Sequence, residues 1–142
     1  MSDTYDLQRF VDAQEHVYAD VLEELRQGRK RSHWMWFIFP QIAGLGHSAM
    51  AQTYAIGSID EARAYLAHPL LGARLRECCR LTLNHKRRSV EEIFGYPDHM
   101  KFHSSVTLFA HAACEEEVFD ACLAEFFGGT PDRNTLALLP PA

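Results

Sequence analysis

Asp98, Lys101 and Ser105 place a carboxylate, an ammonium and a hydroxyl at helical spacing. On one helix they share a face with Phe102 and Phe109, because residues three and four apart lie side by side. The two phenylalanines mark that face as core-facing. The three polar groups are therefore expected to be partly buried, and must satisfy one another or a ligand. A lysine beside a serine can activate it as a nucleophile. The Ser-x-x-Lys order of known pairs is absent, however. The plainer alternative is a cap with an ion pair, Ser105 bonding its own helix backbone.

A second stretch, Arg29-Lys-Arg-Ser-His-Trp-Met-Trp-Phe-Ile-Phe-Pro-Gln41, sets three bases and the preceding Arg26 next to Trp34 and Trp36. Cations beside aromatic faces bind flat anions through charge and stacking. His33 lies between the bases and Trp34. Gln41, just past Pro40, is suited to orienting a ligand or capping a chain end. The alternative is that the aromatics are core and the bases a solvated loop. Gly44-Leu-Gly46-His-Ser48 could offer backbone N–H groups to an anion, or be a turn ending in a serine cap. It has neither the dinucleotide fingerprint nor the phosphate-loop lysine, and no cofactor is expected. His99 and His103 are four apart, but no third ligand has recognisable spacing. They are expected on the polar side of their helix, with no metal site.

These groups need elements to hold them, and the periodicity is helical almost throughout. Leu7, Phe10, Val11, Val17, Tyr18, Val21, Leu22 and Leu25 form one stripe, closed by Gly28. Gln14 interrupts it, and is either bonded within the core or lines a pocket. Ser58 with Glu61, and Ser89 with Glu92, have capping-box spacing. Pro69 suits the first turn of a helix through Leu71, Leu75, Cys78, Cys79 and Leu83. Further helices are expected over 98–112 and 115–127. Thr130-Pro131 is expected to cap a last one before Leu136. The apolar run 34–39 fits a buried helix or strand; helix is preferred because its neighbours are helical.

The chain has 142 residues, 47% hydrophobic and 23% charged, with a net charge of −5. That is a globular composition, long enough for one cored domain. One domain is expected over 1–139, with a frayed tail at 140–142. No apolar run is long enough to span a bilayer, and no membrane partner is expected. The acidic, polar start does not resemble a secretory signal. Cys78, Cys79, Cys114 and Cys122 contain no Cys-x-x-Cys pair. They are expected to be reduced, buried thiols of a cytoplasmic protein. The negative net charge argues against nucleic acid as a partner. That partner returns only if the bases of 26–31 and 74–88 converge on one face.

The blocks Ser-His-Trp-Met-Trp-Phe-Ile-Phe-Pro-Gln (32–41), Gly-Leu-Gly-His-Ser (44–48) and Leu71-Gly-Ala-Arg-Leu75 resemble domain-of-unknown-function family 1810. So do Asp98-His-Met-Lys101, Ser104-Ser105, Thr107-Leu-Phe109, and Asp132 with Thr135-Leu136. The resemblance spans nearly the whole chain, and it implies a compact, mostly helical bacterial protein without an assigned activity. Some members carry a calpastatin-like label. Calpastatin is a disordered repeat protein, whereas this chain has no repeats and a core-forming composition.

The expected architecture is all-α, a single compact orthogonal bundle of about seven helices, some of them short. The expected function is a pocket for a small anionic or nucleotide-like ligand. Trp34 and Trp36 would supply its walls, and His33, Gln41, Asp98, Lys101 and Ser105 its polar groups. The alternative is a non-enzymatic interaction module or homodimer, suggested by abundant apolar residues and segregated charge.

Overall fold

The computed structural model describes residues 3–140, which form ten α-helices and no strand. The helix count exceeds the expected seven for two reasons. The first apolar stripe is cut in two, and several capped segments stand as helices of four to six residues.

The stripe becomes α1 (Gln8–Glu15) and α2 (Tyr18–Gln27). Between them the turn tightens, and Val17 N–H bonds Gln14 O three residues back. Gly28 ends α2 in the left-handed conformation, φ 73°. The apolar run forms α3 (Met35–Ile38), a single turn closed by Phe39 N–H on Met35 O and stopped at Pro40. Ser48 caps α4 (Ala49–Thr53) by accepting from Ala51 N–H, so the glycine stretch before it is a turn with a serine cap. Ile42 and Ile56 form an isolated parallel bridge that ties the ends of this loop region together.

Ser58 caps α5 (Ile59–Ala67), but its box is half made. Glu61 turns away to Gly57 N–H and to Arg9, at 3.0 and 2.9 Å. His68, instead of Pro69, prepares α6 (Leu71–Leu83): its Nδ1 accepts from Leu70 and Leu71 N–H. Ser89 and Glu92 make the complete box of α7 (Val90–Phe94). Next come α8 (Asp98–Ala112), α9 (Glu117–Phe127) and α10 (Arg133–Leu138). The α10 cap is Asp132, which accepts from Thr135 N–H, and the expected Thr130-Pro131 cap is not used.

α8 is the spine of the molecule, packed by α3, α5, α7, α9 and α10. Residues 104–109 are all buried, so its middle has no solvent face. Phe102 meets Phe39 edge-on at 5.1 Å and stacks on Phe94 at 4.6 Å, joining α3, α7 and α8 in one aromatic cluster. Gln14 is saturated in the core. It donates to Phe37 O and the Tyr65 hydroxyl, and accepts from Arg74. Of the expected tail, Pro140 is exposed and residues 141–142 lie outside the described residues. No helix among the described residues is long and apolar enough to cross a membrane.

Candidate functional site

The loop after α2 holds the first cation. Glu24, almost buried, accepts from Arg31 N–H, from Ser32 N–H and hydroxyl, and from Trp34 Nε1–H. Burial alone would raise its pKa; the four donors outweigh burial and lower it. This anchor fixes Trp34 in the core, where it is 1% exposed. It also fixes the backbone just after Lys30.

Lys30 reaches Asp98 Oδ2 at 2.8 Å, and Lys101 reaches Asp98 Oδ1 at 3.1 Å. Lys101 Nζ sits 4.0 Å from the centroid of a Trp36 ring, and Lys30 Nζ 5.0 Å from one of Trp34. Two cations thus each cover a tryptophan and share one carboxylate. Burial opposes ionisation of Asp98, but the two ammoniums hold its pKa below the ordinary value.

Trp36 and Lys101 face a cleft of about 220 Å³. α3, the loop after it, α8 and α10 contribute its walls, among them Gln41, Leu45, Met100, Ser104, Asp132 and Asn134. Ser104 Oγ–H is within reach of Met100 O and Asp132 Oδ2, both at 3.1 Å. Thr135 also donates to Asp132 Oδ2, through its N–H and its hydroxyl. Asp132 N–H donates in turn to Thr107 Oγ1, at 2.9 Å. The α10 cap is therefore bolted to α8, with Asp132 Oδ1 left without a donor among the described residues. Gln41 Nε2 is shielded and has no acceptor among the described residues.

The structure divides the seven residues singled out from the sequence. Trp36, Gln41 and Lys101 line the cleft, with Asp98 behind Lys101. Trp34 lies in the core, bonded to Glu24. His33 is exposed on the loop. Ser105 is fully buried, and its Oγ has no partner among the described residues. It makes neither a bond to its helix backbone nor a contact with the ammonium of Lys101, which is held by Asp98. The backbone-bonding serine is Ser104, one residue earlier.

Ser104 and Asp132 stand in the sequence only as part of the blocks that carry the resemblance, without a role at the site, and Asn134 is not singled out. The spacing of Asp132 to Thr135 is an N-cap signal that could have revealed the first step. Nothing local reveals that α10 closes over α8.

Four larger hollows lie elsewhere, the two largest about 610 Å³ between α6 and α9 and about 570 Å³ beside the start of α5. None of the four is lined by a buried polar atom lacking a partner among the described residues. His99 and His103 are half-buried: His99 lies 3.3 Å from Gly95 O, while His103 stacks on Phe127 and meets Thr130 O. Among the described residues, no group of three or more His, Cys, Asp or Glu is placed to hold a metal.

A family model described as "Protein of unknown function (DUF1810)" matches residues 4–139. No curated protein matches the chain. Among solved structures, the conserved hypothetical protein Rv1873 from Mycobacterium tuberculosis superposes with a TM-score of 0.96 at 56% identity. The match covers 99% of this chain and 100% of that one.

Proposed function

We propose that this chain, which belongs to the DUF1810 family of proteins of unknown function, is a small-molecule-binding domain using the Trp36–Lys101 cleft. The observation that carries this reading is Gln41 Nε2, a shielded donor without an acceptor on the wall of that cleft. Leaving such a group unpaired costs about 1–3 kcal/mol, which an acceptor on a ligand would offset.

The charges narrow the ligand. Lys30 and Lys101 are balanced by Asp98 and Asp132, so the site does not favour a bare polyanion. It suits a molecule with an anionic or acceptor end toward Lys101 and Gln41, and a donor toward Asp132 Oδ1. Its apolar body would rest on Trp36, Leu45 and Met100. At about 220 Å³ the space falls below the ~300–1,000 Å³ usual for drug-sized ligands. A single ring system or an amino acid fits better than a whole nucleotide. The reading is one of binding, because Ser105 is sealed away from the cleft.

Thermal shift against nucleobases, nucleosides and amino acids at about 1 mM tests it. A ligand with Kd of about 10 µM would add about 2.7 kcal/mol of stability. It should also change tryptophan fluorescence, and both responses should vanish in Lys101→Met. Trp36→Phe should remove the fluorescence change. Silence across the panel would end the proposal. The rival occupant of the cleft mouth is a second copy, since Met100 on its wall is exposed. Light scattering across dilution would detect that dimer.

A further inference from the structure

Two basic stretches far apart in sequence meet at one end of the molecule. His85 Nε2 lies 2.7 Å from Leu25 O, tying the loop after α6 to the end of α2. The His85 ring packs so closely on Gly28 that a Cβ there would fall 2.7 Å from Nδ1. Lys30 N–H bonds Ile93 O at 2.7 Å, fastening the loop after α2 to α7.

These ties bring Arg26, Arg29 and Arg31 together with Lys86, Arg87 and Arg88. All six are exposed. None forms an ion pair with a carboxylate among the described residues. Of the nearby acids, three are engaged and Glu91, among the described residues, is free. Glu23 accepts from Gln27, and Glu24 is consumed by the loop beneath. Glu92 closes its capping box and feels Arg88 only as a longer-range charge, and Glu91 is exposed without an ion-pair partner. With these cations gathered here, the rest of the surface is more acidic than the net charge of −5 conveys. The molecule is therefore polarised, and a polyanion would be steered to this end.

We infer that this face binds the phosphate backbone of nucleic acid without reading its sequence. Five of the six cations are arginines, whose planar forks match phosphate oxygens in pairs. None of the large exposed apolar side chains lies on these stretches. A protein partner would lack the aromatic or aliphatic anchor typical of interfaces. A membrane would find no apolar side chain to bury. Base stacking would likewise lack an exposed aromatic ring, so contact is confined to phosphates.

The test is fluorescence anisotropy of the full chain with mixed-sequence RNA and DNA of about 20 nucleotides. With about four phosphates engaged, affinity should fall about 100-fold between roughly 50 and 200 mM salt. Arg87→Glu and Arg29→Glu should each weaken binding and make the salt slope shallower. Arg133→Glu changes net charge equally but lies outside the patch, and should leave binding unchanged. Circular dichroism confirms that each variant is folded. The inference is overturned if no binding is seen at low salt. Equal weakening by Arg133→Glu overturns it too, as does tighter binding of polyglutamate or of vesicles containing phosphatidylserine.

Discussion

Gln14 and Gln41 are the same side chain in two situations. Gln14 is 1% exposed and has a partner at both ends of its amide. Gln41 has a shielded nitrogen with no acceptor. The contrast makes opposite expectations. Gln14→Leu would strand Phe37 O and the Arg74 guanidinium, and so destabilise. Gln41→Leu removes an unpaired donor, and should leave stability unchanged or raise it by up to about 1 kcal/mol. Under the proposed function the same change abolishes the ligand-induced thermal shift. A denaturation curve and a ligand titration on one variant check both halves. If Gln41→Leu unfolds the chain, the side chain is doing structural work instead.

The elements are set by caps and close approaches more than by propensity. Gly72 opens α6 where the backbone of α5 passes, and a Cβ there would lie 2.1 Å from Leu66 O. Gly72→Ala should therefore destabilise by about 1–3 kcal/mol, despite alanine's better helix propensity. The check is a lower urea midpoint with an unchanged slope. The helix pattern itself was largely readable. α8 spans the residues its periodicity indicated, and α7 carries its expected box and Gly95. The misreadings occur where a distant residue intervenes. Arg9 draws Glu61 from its box, and Thr107 and Ser104 draw Asp132 into the cap. No local window contains those partners.

At the scale of the molecule, two carboxylates and four thiols give expectations. Glu24 and Asp98 have folded-state pKa values below their ordinary 4.5 and 3.8. Folded, they bind fewer protons than unfolded, so stability rises with pH through this range. Their contribution is complete above the ordinary values and is lost as pH falls through the lowered ones. Urea midpoints should be flat from neutrality to about pH 5 and fall below it, less steeply in Glu24→Gln. Cys78, Cys79 and Cys122 are buried, while Cys114 is exposed, against the expectation of four buried thiols. Burial pushes the Cys78 thiol up to about 12 and Cys79 upward as well. A thiol reagent should modify Cys114 quickly and the other three only on unfolding.

What the order of residues determined alone was the helical class, most helix positions and three residues that line the Trp36–Lys101 cleft. Apolar spacing, caps and glycines act within a few residues, and so are legible along the chain. Which polar groups converge was decided in three dimensions. Trp34 and Trp36 are two residues apart, yet Glu24 fastens one into the core while the other faces the cleft. Ser104 and Ser105 are adjacent, yet one bonds the α10 cap and the other is sealed without a partner. Those outcomes depend on which element packs over each side chain, and that is fixed by closure of the whole core.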